Sequence, residues 1–266
     1  MPELPEVETT VRALRQVLPG RTFSCVAVGW RPMVQKSPLD LVEMLPGQRI
    51  DRIDRRGKYL VFLLSTGNTL LIHLKMSGRL TVCAAAEPPD PYDRITFFLD
   101  DGRQLRFRDP RKFGRAHLMS EASSVLDRLG PEPLDDNFGQ DEFLSRFTGR
   151  RGVIKPLLVD QTFIAGVGNI YADEALFRAH IQPIRRTETL SCTEKRGLYG
   201  AVRHVLNASI ALNGSTLADG MYHGGNFQDT FCVYGHEKEP CPVCGTPIER
   251  IKLGQRSAYF CPGCQS

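Results

Sequence analysis

No apolar run in this chain reaches the roughly 18 residues that a membrane-crossing helix needs, so its hydropathy does not point to a bilayer. An export leader is not expected either. The first eight residues, Met-Pro-Glu-Leu-Pro-Glu-Val-Glu, are acidic and hold no apolar core segment. A strong charge of one sign is also missing: 34 Lys and Arg face 30 Asp and Glu, a net charge of +4. That basicity is too mild to argue for a nucleic-acid partner by itself. Nor do the eight cysteines suggest a disulfide framework. Cys25, Cys83, Cys192 and Cys232 are scattered and read as small buried hydrophobes or free thiols. The other four are clustered, which fits a reducing cytoplasm and a metal site. What remains is an ordinary globular composition, 41% hydrophobic and 24% charged. With 266 residues the chain is long enough for two domains, each with a core.

The clustered cysteines give the strongest local signal. Cys241-Pro-Val-Cys244 and Cys261-Pro-Gly-Cys264 are separated by sixteen residues, a spacing that holds one tetrahedral Zn2+ through four thiolates. Four protein ligands leave no open coordination position, so the site is expected to be structural. The segment between the pairs reads as a β-hairpin carrying Arg250, Lys252 and Arg256. So short a tail has little core of its own and is expected to fold on its metal.

The first residues carry a different chemistry. Proline in second place permits removal of the initiator methionine, which frees a secondary amine on Pro2. Such an amine can attack an electrophilic carbon and form a Schiff base, with Glu3 beside it as acid/base partner and Glu6 one turn on. With Met1 attached, this chemistry is blocked. The same residues also read as a helix start: Pro5 suits a first helical position and the acids suit the positive end of the helix dipole. Leu4, Val7, Val11, Leu14 and Leu18 follow at three-to-four spacing, which predicts an amphipathic helix to about Pro19-Gly20. The two readings are compatible.

The first half is otherwise β-rich. Strands are predicted at Phe23–Trp30, Arg49–Asp54, Lys58–Leu64, Thr69–Leu74, Arg94–Leu99 and Arg103–Arg108, the last two flanking an Asp-Asp-Gly turn. Together they argue for a sandwich or barrel-like sheet pair. Three basic turns stand out. Lys58 starts a strand after Arg55-Arg56-Gly57. Met76 lies in His73-Leu74-Lys75-Met76-Ser77-Gly78-Arg79, and Phe113 in Asp109-Pro110-Arg111-Lys112-Phe113-Gly114-Arg115. Each alone reads as a solvated loop. Together, apolar residues beside Arg and Lys suit wedges that enter a base stack while cations grip phosphate.

In the second half, 126–140 is polar and Pro-containing and reads as a linker. Helices are predicted at Asp141–Thr148, Val153–Gln161, Ile170–His180 and Leu190–Leu212. Ile164-Ala165-Gly166-Val167-Gly168-Asn169 makes a glycine turn in which Asn169 can cap the third of these and which can present backbone N–H groups to phosphate. Gly214–Gly225 reads as a glycine-containing, mobile loop.

Taken in order along nearly the whole chain, these motifs resemble the formamidopyrimidine-DNA glycosylase family. The resemblance implies an α+β multidomain protein: residues 1–125 an N-terminal catalytic β-sandwich with an N-terminal helix, 126–140 a linker, 141–230 a helix-two-turn-helix DNA-binding domain, and 231–266 a four-cysteine zinc finger. It implies a monomer that binds double-stranded DNA carrying an oxidised base or abasic site. The activity implied is bifunctional: removal of oxidised purines such as 8-oxoguanine and formamidopyrimidines through a Schiff base on Pro2, then strand cutting by β,δ-elimination. Glu3 is implied as the acid that protonates the opening sugar, Lys58 as the proton-transfer group of β-elimination, and Arg256 as a catalytic finger arginine that grips phosphate and is linked to δ-elimination. Glu6, Glu174 and Tyr171 are implied to support the active site. Met76, Arg111 and Phe113 would fill the gap left by the everted nucleotide. His73, Lys112, Arg150, Lys155 and Asn169 would contact DNA.

Three departures from the family pattern matter. Tyr92-Asp93-Arg94 stands where His-Asp-His is usual, so Tyr92 is expected to donate to phosphate in place of a histidine. Lys75 stands where a glycine usually precedes the wedge methionine. The loop Asp219–Asn226, which bears on lesion choice, looks short. Two other functions fit many of the same residues: an endonuclease VIII-like glycosylase for oxidised pyrimidines, and a damage-binding protein without catalysis. The Leu-Pro-Glu-Val-Glu start and the Met76 and Phe113 wedges favour the oxidised-purine branch.

Overall fold

The structure, a computed structural model, describes residues 1–36, 39–216 and 225–266. Met1–Asp127 make up most of one compact unit; Arg128–Ser215 and the chain from 225 onward form the other. No helix among the described residues is long and apolar enough to cross a membrane.

Helix α1 (Leu4–Arg15) opens the first unit. Leu4, Val7, Val11 and Leu14 all point into the core, as their spacing predicts. The helix ends short of Pro19-Gly20. Proline disfavours helical backbone in the residue before it, and Gly20 takes a left-handed φ of 84°. After α1 come β1 (Phe23–Val28), α2 (Leu41–Met44), β2 (Ile50–Arg56), β3 (Tyr59–Leu64), β4 (Thr69–His73), β5 (Arg79–Ala84), β6 (Asp93–Leu99), β7 (Arg103–Arg108), β8 (Arg115–Met119) and α3 (Ser123–Leu126). They build two four-stranded sheets, ordered β1-β6-β7-β5 and β2-β3-β4-β8, antiparallel at every named pairing. Both sheets and α1 feed one core that includes Val7, Phe23, Phe62, Phe97 and Phe107, which is the expected sandwich. Strands β5 and β8 were not predicted. Each follows directly on a basic turn, and arginine at their first residues masks a short alternation.

The second unit holds α4 (Gln140–Ser145), α5 (Ile154–Val159), α6 (Asn169–Arg178) and α7 (Cys192–Ala211), then the hairpin β9 (Glu249–Leu253) and β10 (Arg256–Phe260). Helix α7 begins with a capping box: the Ser191 hydroxyl accepts from Glu194 N–H at 3.1 Å, and the Glu194 carboxylate accepts from Ser191 N–H at 2.7 Å. The Phe143 ring packs among Phe138, Phe147, Phe163 and Tyr199. Much of the 126–140 segment is docked, not free: Gly130 N–H donates to Gln161 O at 2.8 Å, and the Tyr199 hydroxyl to Phe138 O at 2.7 Å. Most of the Gly214–Gly225 loop, and most of Asp219–Asn226, lie outside the described residues.

Candidate functional site

Pro2 and Glu3 sit buried at the head of α1. The Glu6 carboxylate accepts the Glu3 N–H at 2.8 Å, so it fixes the backbone beside Pro2. Glu3 takes the capping position with extended backbone, and Pro5 falls in the second helical position, one later than predicted. The next acid on the helix joins this terminus to the turn that carries Lys58. Glu8 accepts from Arg55 Nε at 2.9 Å and Arg12 Nε at 2.8 Å. Arg55 also donates to Gly57 O at 3.1 Å. Burial pushes the Glu8 carboxyl upward, but the hydrogen bonds and charges of Arg12 and Arg55 outweigh it and hold the group below its ordinary value. Lys58 itself is buried in that turn, between β2 and β3.

His73 ends β4 with its ring edge-on to Tyr59 at 4.7 Å. Burial, then the charges of Lys75 and Lys58, push its pKa down to about 3, so the ring is neutral at physiological pH. Its Nδ1 accepts the Lys75 N–H at 2.9 Å. A backbone N–H only donates, so the single imidazole proton must sit on Nε2. The ring therefore offers one directed donor, suited to phosphate. Lys75 has a left-handed φ of 57°, a backbone conformation that favours glycine. Lys112, just before Phe113, has φ 62°.

Both apolar turn residues stand out of the surface, Met76 at 41% and Phe113 at 45% relative exposure. The Arg111 guanidinium lies 5.3 Å from the centre of the Phe113 ring, and the Lys112 ammonium 4.1 Å from that of Trp30. Tyr92 is exposed, with its ring 5.5 Å from the Arg94 guanidinium and 5.1 Å from that of Arg108. The sequence reading missed Trp30, Arg94 and Arg108 as members of this basic-aromatic surface. Arg94 is two positions from Tyr92, whereas β6–β7 pairing brings Arg108 there and Trp30 meets Lys112 from a distant part of the chain.

In the second unit, Arg150 is exposed in the turn between α4 and α5. Arg256 is exposed at the first residue of β10. Two expectations change here. Gly168, not Asn169, takes the capping position of α6, because Asn169 already has helical placement as its first residue. The Asn169 Oδ1 is buried with no hydrogen-bond partner among the described residues. Lys155, expected to face DNA, is only 2% exposed. Its ammonium lies 2.7 Å from Asp173 Oδ1 and donates to Ser257 O at 2.5 Å. Asp173 Oδ2 accepts the Tyr259 N–H at 3.1 Å. This buried pair joins α5 and α6 to β10, the strand that begins with Arg256. Burial raises the Asp173 carboxyl to about 7 against the pull of Lys155.

Glu174 accepts three backbone N–H groups, from Cys232, Val233 and Tyr234 at 2.9, 3.0 and 2.9 Å. It anchors the segment that leads into the finger. Burial raises its pKa despite those bonds. The Tyr171 hydroxyl is 2.7 Å from Ser209 Oγ, tying α6 to α7.

The four clustered thiols all lie within 4.8 Å of one another. Cys241 Sγ is 3.8 Å from Cys264 Sγ, and Cys244 Sγ is 3.4 Å from Cys261 Sγ. With Zn–S bonds of about 2.3 Å a tetrahedron has edges of roughly 3.8 Å, so the donor set fits one structural Zn2+ with no open position. Cys241 and Cys261 also pack with Phe177, Val233 and Ile248 in a small core.

Three family models match the chain: the formamidopyrimidine-DNA glycosylase N-terminal domain over residues 1–116, its H2TH domain over 129–220, and the zinc finger found in FPG and IleRS over 238–266. A formamidopyrimidine-DNA glycosylase of Herpetosiphon aurantiacus is 46% identical over 273 residues, with both chains fully covered. A structure of MutM in complex with carbocyclic 8-oxo-G containing DNA is 34% identical, with TM-score 0.92 and 100% of each chain covered. A complex of Lactococcus lactis Fpg with DNA containing an abasic site is 35% identical, with TM-score 0.91 and 99% of each chain covered.

Proposed function

The chain belongs to the formamidopyrimidine-DNA glycosylase family, and from that premise we propose that it removes oxidised purines from duplex DNA and cuts the strand through a Schiff base on Pro2. The observation that carries this reading is the terminus itself. Pro2 precedes Glu3 at the head of α1, Glu6 fixes the Glu3 N–H, and the Glu8–Arg55 pair ties the helix to the turn that bears Lys58.

Once Met1 is removed, the neutral Pro2 amine attacks C1′ of an unstacked nucleotide. The N–C1′ bond forms as the glycosidic bond breaks, and the base leaves with a proton. Opening of the sugar then converts the adduct to an iminium, with the proton for O4′ supplied by Glu3. The iminium acidifies C2′. Loss of that proton expels the 3′ phosphate, and a second elimination expels the 5′ phosphate; Lys58 serves as the proton-transfer group. Around these steps, the directed Nε2–H of His73, together with Asn169, Arg150 and Arg256, grips phosphate. Met76, Arg111 and Phe113 fill the vacated stack. Lys155 acts indirectly, by holding the strand that presents Arg256. The structural Zn2+ folds the finger and takes no part in the chemistry.

A panel of single-lesion duplexes incubated with the trimmed protein tests this. The reading expects release of 8-oxoguanine and formamidopyrimidine, with β,δ-elimination products. Preferential release of thymine glycol would assign the oxidised-pyrimidine branch instead. Binding without release would leave a damage-binding protein.

A further inference from the structure

The turns that carry Met76 and Phe113 belong to different strand connections, yet they close on the same two buried groups. The first is Asp109, which is fully buried. Its Oδ1 accepts from the hydroxyl of Ser77, the residue after Met76, and from Arg111 N–H at 3.2 Å. Its Oδ2 accepts the N–H of Gly114, the residue after Phe113, at 2.6 Å. Its main chain is held as well: the N–H donates to Tyr92 O at 2.9 Å, and the carbonyl accepts from Arg94 Nε at 3.0 Å.

The second group is the Phe107 ring, also fully buried. A Cβ added at Gly78 would fall 2.7 Å from Phe107 Cε2 and would also collide with Leu74 O. One added at Gly114 would fall 2.5 Å from Phe107 Cζ and 3.1 Å from Asp109 Oδ2. Both turns therefore need glycine to reach this ring.

An aspartate that merely satisfied its own turn would bond within one loop. Asp109 instead takes the Ser77 hydroxyl from 32 residues away, and each of its oxygens pins a residue next to a wedge. Lys75 and Lys112, which precede the two wedges, are held in left-handed backbone that lysine adopts reluctantly. Such conformations persist where the surroundings over-determine them.

We propose that Asp109, seated on Phe107, is a positioning residue that locks the two wedge turns into one unit, so that Met76, Arg111 and Phe113 enter the base stack together. This rests on the reading of those three residues as void fillers. The benefit is preorganisation: an exposed apolar side chain on a fixed turn loses less conformational freedom on insertion than one on a loose loop.

The test compares single-turnover excision of 8-oxoguanine from duplex DNA with cleavage at an abasic site in a single-stranded oligonucleotide, where no void needs filling. A 2-aminopurine opposite the lesion reports wedge entry independently of chemistry. Met76→Ala and Phe113→Ala should each slow the duplex reaction about tenfold, the effect of losing one partly inserted apolar side chain. Asp109→Asn replaces one acceptor by a donor that opposes its own donors. It should slow duplex excision at least as much as either wedge deletion and damp the 2-aminopurine signal, while single-strand cleavage stays within about twofold. In its background, removing Met76 or Phe113 should cost less than about twofold more, a strongly non-additive cycle. Ser77→Ala, a milder change, should shrink the cost of Met76→Ala in the same way and serves if Asp109→Asn does not fold. Wedge deletions that cost as much in these backgrounds as in the unaltered protein would overturn the inference. Wedge deletions without effect in the unaltered protein would remove the void-filling reading beneath it.

Discussion

Replacing Lys155 by methionine separates two places where that lysine can act. The methionine keeps most of the volume and removes the charge. In the structure the ammonium is 2.7 Å from Asp173 Oδ1 and almost fully buried, so the variant strands a carboxylate in the interior. Losing one partner of a buried pair typically costs about 3–5 kcal/mol. In a chain of this size that corresponds to roughly 6–20 °C in Tm at about 2–4 °C per kcal/mol. The cost should depend on pH. Burial already raises Asp173 to about 7, above its ordinary value of 3.8. A carboxyl raised on folding contributes stability in its protonated form, and that contribution is lost as pH rises through the folded value. Without Lys155 the folded value climbs further, so the loss continues to higher pH, at about 1.4 kcal/mol per unit. Thermal unfolding of the zinc-loaded protein at pH 6 and pH 8 should show a lower Tm for Lys155→Met, with the deficit larger at pH 8. Adding Asp173→Leu should restore much of it, because no charge is then left buried. An unchanged Tm together with a salt slope of DNA binding reduced by about one would refute the tether and return Lys155 to the DNA surface.

Three further outcomes are expected. Arg256→Ala should weaken DNA binding and lower the salt slope by about one, as loss of a single phosphate contact does; an unchanged slope removes that contact. Cys244→Ser should lose zinc and DNA affinity together, measured by metal content and by titration with duplex; metal-free protein that binds normally would contradict it. His73, held neutral down to about pH 3 against an ordinary 6.5, contributes stability above pH 6.5 that is lost as pH falls, because the unfolded chain takes up the proton first. Between pH 6.5 and 5 this amounts to about 2 kcal/mol. His73→Gln should flatten the acid limb of the Tm profile by that much; an unaltered limb would show that the ring does not resist protonation.

Much of this architecture is written in local pattern. Leu4, Val7, Val11 and Leu14 announce α1 by spacing, and the two CxxC pairs announce the zinc site by identity. The Asp-Asp-Gly turn announces the β6–β7 hairpin, where Gly102 adopts a φ of 79°. What could not be read are contacts made by distant residues. Glu8 finds Arg55 across 47 positions and Lys155 finds Ser257 across 102. Nothing local distinguishes Lys155 from a solvated helical lysine, and only the family resemblance places it among the DNA contacts. Asn169 was misplaced by one position because a polar residue after glycine fits both a cap and a first helical turn. Asp109 stands in a turn rich enough in charge to hide a carboxylate that is entirely internal. Arg108 reaches Tyr92 only through the register of β6 against β7, which sets it opposite Asp93.

The central claim is that the freed amine of Pro2 bonds to the sugar. Borohydride reduction of the trimmed protein on abasic-site DNA, followed by protease digestion and peptide mass mapping, tests it most directly. The account predicts a stable adduct on the N-terminal peptide at Pro2, absent while Met1 remains attached. An adduct on an internal lysine such as Lys58, or one formed equally well by protein that retains Met1, would contradict it.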